Sequence, residues 1–139
     1  MKIITLGTFD MLHAGHMKLF KKCLQLGELT IGLNTDDFIK KFKGKKPIMS
    51  YQEREEMIQE TGLVECILPN SQRSGSAKKV ILKSGAKLIV VGSDWARRDY
   101  VGQLGLDWDW LDKHGIGICY INYTWSISSS ELKRRLNEN

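Results

Sequence analysis

A chain of 139 residues with 42% hydrophobic side chains holds enough apolar mass for one sizeable core, so a single domain over residues 1–139 is the expectation. No apolar run approaches the roughly 18 residues needed to span a bilayer, and the N-terminus lacks the basic, apolar, small-residue order of a signal peptide. Membrane insertion is therefore not expected, the location should be cytoplasmic, and a net charge of +5 suits a polyanionic partner without choosing among nucleic acid, anionic lipid and nucleoside triphosphate.

In chain order, the first strand is expected over residues 2–6, and "GTFDMLHAGH" (residues 7–16) follows it and leads into the helical pattern "HMKLFKKCLQLG". A second β-branched run at 29–33 precedes a basic stretch with "KKFKGKK", which reads by itself as a solvated loop. The helix "SYQEREEMIQETG" has Ser50 and Glu53 at capping-box spacing, and a strand at 64–68 follows. Next come the helix "AKKVILKSG", a strand at 88–91, the helix "GLDWDWLDKHG", a strand at 118–121 and the helix "SSELKRRL", where Ser128 and Glu131 have the same capping spacing. Each internal helix is expected to end at a glycine in the left-handed conformation: Gly27, Gly62, Gly85 and Gly115. Cys23, Cys66 and Cys119 lie in separate apolar elements without CxxC spacing and read as reduced core residues.

Strict alternation of strand and helix predicts an α/β fold, a Rossmann-like five-stranded parallel sheet with helices on both faces. Ligands of such sheets bind beyond the C-terminal strand ends. That rule gathers residues 7–16, 34–46, 92–98 and 123–130 at one edge. Gly7 permits a tight exit from the strand, Gly15 opens the backbone to a ligand, and His16 falls in the first turn of a helix whose N–H groups favour an anion. His13 and His16 can add two N–H donors that need no fixed charge. Two alternatives remain open: a zinc pair completed by Asp10 or Asp94, and histidines that are simply structural. Ser128, Ser129 and Ser130 at a helix start suggest a second anion site, although one of them would serve as an N-cap in any case. Asp94, after a strand and a glycine, suits a nucleotide sugar or base, or a Mg²⁺ carried by phosphates. Trp95 reads as a pocket wall or as core. RNA binding is disfavoured because Trp108 and Trp110 lie among Asp107, Asp109 and Asp112.

These segments resemble a known family. "GTFDMLHAGH" resembles the HxGH signature of the cytidylyltransferase-like nucleotidyltransferases, and "SISSSELKRR" resembles their second signature. "NTDDFIKKFKGKKPIMSYQER" and "VVGSDW" resemble, in order and spacing, the small bacterial glycerol-3-phosphate cytidylyltransferases. The resemblance covers nearly the whole chain. It implies transfer of a nucleotidyl group from CTP to a small phosphorylated alcohol, with release of pyrophosphate and no covalent enzyme intermediate. It places His13 and His16 on the triphosphate and Lys43 and Lys45 on an arm that closes over the phosphates of both substrates, these four being the catalytic residues. Thr8, Phe9 and Asp10 would shape the nucleotide pocket, with Gly15, Asp94, Ser128, Ser129 and Ser130 on the nucleotide and Arg54 on the substrate phosphate. A divalent cation, Mg²⁺, is implied with the triphosphate, Asp94 being its candidate ligand, and a homodimer is implied as the assembly.

One departure stands out. The cytidylyltransferases carry an arginine five residues before the first serine of the second signature, where this chain has Tyr123, with Arg97 or Arg98 as candidate substitutes. "RRDYVGQ" also resembles the heptose-phosphate adenylyltransferases, so ATP with a sugar phosphate is the second expectation. A non-catalytic nucleotide-binding module is a third, though it would not need both histidines and the lysines.

Overall fold

The computed structural model describes residues 1–122 and 129–138, the side chains of residues 129–131, 133 and 138 excepted. Tyr123 and Ser128 lie outside the described residues, and so does the capping box expected at Ser128 and Glu131.

The elements run β1 (Lys2–Gly7), α1 (Ala14–Leu26), β2 (Glu28–Asn34), α2 (Asp36–Lys43), α3 (Tyr51–Glu60), β3 (Cys66–Asn70), α4 (Lys78–Ser84), β4 (Leu88–Gly92), α5 (Tyr100–Gln103), α6 (Trp108–His114), β5 (Gly117–Ile121) and α7 (Ser129–Glu138). A 3₁₀ turn, Ser93–Trp95, lies between β4 and α5. All strand pairings are parallel, in the order β3-β2-β1-β4-β5. The order reverses between β1 and β4, which opens a crevice at their C-terminal ends.

Alternation along the central strands fills two cores, one on each face of the sheet. Ile4, Ile89 and Val91 point to the layer of α4 to α6, with Ile81, Val101, Leu104 and Leu111. Ile3, Val90 and Ile31 point to the layer of α1 and α3, with Leu19, Phe20, Cys23 and Ile58. The expected fold class therefore stands: five parallel strands form one α/β domain with helices on both faces.

Several local expectations change. The basic stretch after β2 is not all loop, because Thr35 caps α2 by accepting from the Phe38 N–H, and Asp36 and Asp37 sit in the first turn with Lys40, Lys41 and Lys43 in the last. The third strand runs to Asn70, two residues beyond expectation, because β3 is at the sheet edge and an edge strand tolerates Pro69. Gly27 ends α1 in an extended conformation (φ 166°) rather than a left-handed one; an added Cβ there would meet the Met1 carbonyl oxygen at 2.0 Å, so close approach is what requires glycine. Of the cysteines, Cys23 is core, and burial beside Cys119 pushes its thiol up to about 12, but Cys66 is exposed. Among the described residues no helix is long and apolar enough to cross a membrane.

Candidate active site

The turn after β1 is unusual in its backbone. Phe9 and Met11 both have positive φ (51° and 61°), a conformation rare for side-chain-bearing residues and characteristic of functional turns. The turn sets the Phe9 ring beneath Gly7, against Phe20 and against the edge of His16.

His13 is the N-cap of α1, and together with His16 it closes a reciprocal capping box. The Gly15 N–H donates to His13 Nδ1 (3.1 Å), and the His13 N–H donates to His16 Nδ1 (3.3 Å). The structural reading of the histidines is thus right as far as it goes, and it decides their chemistry. An Nδ1 that accepts from a backbone N–H carries no proton, so in each neutral ring the proton sits on Nε2. The rings stack at 3.9 Å between centroids, which opposes double protonation. Burial and the neighbouring His13 lower His16 to about 3, and burial lowers His13 as well. Both are neutral Nε2–H donors near pH 7. Two of the first helical N–H groups, expected to greet an anion directly, are bonded to imidazole instead, and the donor function passes outward to Nε2. The zinc alternative lacks a third protein ligand: among the described residues no three His, Cys, Asp or Glu side chains group closely enough to hold a metal.

Arg54 and Asp10 hold the surrounding segments together. Arg54 is fully buried; its Nε donates to the Met49 carbonyl (3.1 Å), Nη1 to the Thr8 carbonyl (2.8 Å) and Nη2 to Asp36 Oδ1 (2.7 Å). An arginine expected on a substrate phosphate is here enclosed, joining the end of β1, the start of α2 and the segment before α3. Asp10, also buried, accepts from the N–H groups of Ile48 (2.8 Å) and Met49 (2.9 Å). Both residues fasten the loop that carries the lysines. Lys43 lines a cavity at the C-terminal strand ends, and Lys45 lines a small recess beside it with Thr8, Asp10 and Lys43.

This cavity of about 380 Å³ lies between α2 and α5 above β1, β2 and β3. Its floor is a row of hydrogen-bonded side chains at successive strand ends. Asn34 Nδ2 donates to Thr8 Oγ1 (3.2 Å), and Asn70 Nδ2 donates to Asn34 Oδ1 (3.0 Å), Asn34 and Asn70 being register partners. Phe9, Asp10 and His16 reach this cavity, as do Trp95 and Tyr100, whose rings are 5.2 Å apart.

The structure therefore brings Thr8, Phe9, Asp10, His16 and Lys43 together, with His13 stacked on His16, Lys45 alongside and buried Gly15 in the capping box. Asp94 is exposed in the 3₁₀ turn after β4, outside the cavity lining. Ser129 and Ser130 open α7. Sequence reasoning placed Asn34 and Asp36 at the right edge without giving either a role, and it missed Asn70 and Tyr100. The residue after each parallel strand was the available signal, lost for Asn70 because the strand was ended at Leu68.

The comparisons agree with this geometry. The family model described as cytidylyltransferase-like matches residues 4–135. The chain belongs to the cytidylyltransferase-like family. Its relatives include the glycerol-3-phosphate cytidylyltransferase of Bacillus subtilis, 31% identical over 97% of this chain and 96% of that one, and its counterpart from Staphylococcus aureus, 29% identical over 97% and 94%. The bifunctional protein HldE of Aeromonas salmonicida is 26% identical over 98% of this chain, which covers 28% of that protein. Among solved structures, the lipopolysaccharide core biosynthesis protein of Thermoplasma volcanium superposes with a TM-score of 0.69 over 91% of this chain and 98% of that one at 24% identity, a likeness of fold.

Proposed function

We propose that this member of the family transfers the cytidylyl group of CTP to a small phosphorylated alcohol such as glycerol 3-phosphate, releasing pyrophosphate. The observation that supports it most is the pair of neutral, Nε2-protonated histidines at the crevice where the strand order reverses. The acceptor's phosphate oxygen attacks the α-phosphorus in line, and catalysis consists of positioning and of stabilising charge on the pentacoordinate centre and the leaving pyrophosphate. Neutral donors strengthen as that charge builds, whereas a full positive charge would already bind the ground state tightly. Lys43 and Lys45 screen the repulsion between the two substrates' phosphates, and the first turn of α7, at Ser129 and Ser130, receives the outer phosphates.

Mg²⁺ fits the donors present. A single exposed carboxylate, Asp94, follows β4, and Mg²⁺ takes one or two carboxylates together with substrate phosphates rather than a cage of protein ligands. The ion would neutralise phosphate charge. A homodimer is part of the proposal, with exposed Leu24 and Leu26 on α1 or Trp108 on α6 as its apolar contact.

CTP is preferred because the glycerol-3-phosphate cytidylyltransferases match at higher identity, 29% and 31% against 26% for HldE, each over nearly the whole of this chain. ATP with a sugar phosphate is the second reading, carried by that match. The test is pyrophosphate release with each of the four common triphosphates against a panel of phosphorylated acceptors. Release with CTP and a polyol phosphate supports the proposal; release with ATP alone selects the second reading, and binding without release refutes catalysis.

A further inference from the structure

Two buried side-chain polar atoms have no hydrogen-bond partner among the described residues, Asn70 Oδ1 and Tyr100 Oη. Asn70 is 1% exposed and Tyr100 4% exposed, and both line the 380 Å³ cavity. Buried polar groups are nearly always paired, and two unpaired ones at a single cavity point to a ligand that completes them.

The hydrogen bonds specify that ligand's chemistry. Along the floor each amide donates toward β1, Asn70 to Asn34 and Asn34 to Thr8, so the row ends on the β3 side in an acceptor. Whatever meets Asn70 must donate, and Tyr100 Oη can donate or accept. Hydroxyl groups satisfy both. An ammonium is poorly matched, because the carboxylate lining the cavity, Asp10, already accepts from two backbone N–H groups and Lys43 lines the same cavity.

We propose that Asn70 Oδ1 and Tyr100 Oη read the hydroxyl groups of the phosphorylated acceptor, and so select a polyol or sugar phosphate over an amino-alcohol phosphate. This rests on the transferase reading above and adds the residues that set acceptor choice. The acceptor's phosphate lies toward His16 and Lys43, and its carbon chain extends over the amide row. Tyr100 is then a specificity residue whose hydroxyl contributes nothing to the folded protein alone.

That last property makes the test decisive. Glycerol 3-phosphate and propyl phosphate share a phosphate and a three-carbon chain and differ in hydroxyls, and phosphoethanolamine supplies the ammonium. Dissociation constants for all three, and for CTP, are measured by calorimetry for the wild type and for Tyr100→Phe, alongside melting temperatures. The wild type should prefer glycerol 3-phosphate over both others by about tenfold or more. Tyr100→Phe should reduce the preference over propyl phosphate to about threefold or less, leave CTP affinity unchanged, and keep or raise the melting temperature because an unpaired buried hydroxyl is gone. Asn70→Asp, nearly isosteric, should shift preference toward phosphoethanolamine. A wild type that does not distinguish the phosphates, a Tyr100→Phe variant with unaltered preference or a clearly lowered melting temperature, or an effect on CTP instead of the acceptor would each overturn the proposal. Acceptor discrimination without pyrophosphate release from any triphosphate would remove the transferase reading and leave this site standing.

Discussion

Replacing Arg54 with methionine tests whether that residue organises the site or binds a substrate. The side chain is fully buried, and three donors reach three segments of the chain. Methionine fills most of the volume but leaves the carbonyls of Thr8 and Met49 unpaired, at about 1–3 kcal/mol each. Asp36 also loses its 2.7 Å partner, but its side chain is 38% exposed and regains water, so its contribution is smaller. The sum, about 3–5 kcal/mol, matches the usual cost of breaking a buried ion pair. For a chain of this length each kcal/mol corresponds to roughly 3–5 °C, so the melting temperature should fall by about 10–20 °C. Asp36→Asn keeps an acceptor for Nη2 and should cost only about 1 kcal/mol.

Thermal and urea unfolding measure the loss, and steady-state kinetics below the melting transition measure its consequence. Because Arg54 fixes the end of β1 and the start of α2 together, kcat and the KM of both substrates should worsen in the variant. A melting temperature within about 3 °C of the wild type, with a rise confined to the KM of the phosphorylated acceptor, would refute the organising role and restore the direct phosphate contact expected from sequence.

Three further outcomes are expected. His16→Asn can retain an acceptor for the His13 N–H but has no Nε2–H, so the melting temperature should hold within a few degrees while kcat falls by roughly 10²–10³, the scale for losing one preorganised donor; an unchanged kcat would remove His16 from the chemistry. The His16 imidazole is held at about 3, below its unfolded value of 6.5, so its linkage is absent above pH 6.5 and stability falls as pH drops from there toward 3, by about 2 kcal/mol at pH 5; the His16 Cε1–H resonance should stay flat from pH 8 to 5, and an inflection near 6.5 would refute the neutral-donor argument. Gly105→Ala should cost about 2–4 kcal/mol, because φ is +71° and the new Cβ would lie 2.1 Å from the Gly75 carbonyl oxygen, whereas Gly62→Ala, at φ +69° in open space, should cost about 1 kcal/mol by urea denaturation; equal costs would show that the Gly75 contact is not fixed.

What the sequence made legible follows from the range of the forces involved. Strand and helix alternation is a local hydrophobic pattern, so the five-stranded parallel sheet could be anticipated, and with it the gathering of "GTFDMLHAGH" and the lysines at one edge. The His13 and His16 roles were only half legible, because the tautomer depends on two backbone N–H groups that a motif does not display. Arg54 was misplaced for a different reason: an arginine in an exposed-looking helix pattern becomes buried only when Thr8, Met49 and Asp36 converge on it, and those contacts span up to 46 residues. Asn70 was hidden because the strand was expected to end at Leu68, whereas β3 lies at the sheet edge, where Pro69 is tolerated and the strand runs on.

The same convergence would let one crevice handle the two kinds of chemistry proposed above. At the end proposed to receive phosphates the donors are His16, Lys43 and the neighbouring His13 and Lys45, and the one carboxylate among them, Asp10, accepts from two backbone N–H groups. Toward β3 the floor becomes neutral, Thr8 to Asn34 to Asn70, and the proline-bearing edge strand closes it. Donors of this kind at the far end would draw phosphate into the wrong part of the cavity, and amides at the near end would leave the charge of the transition state uncompensated. In the proposed reading, the gradient from cationic to neutral orients an acceptor that has a phosphate at one end and hydroxyls at the other, before any single contact selects it. Inverting it should therefore do more harm than removing a donor: Asn34→Lys, which places a cation in the middle of the row, should make phosphate-bearing acceptors competitive inhibitors of their own transfer, seen as substrate inhibition at concentrations where the wild type shows simple saturation. Saturation without inhibition in a folded Asn34→Lys protein would show that orientation is set elsewhere.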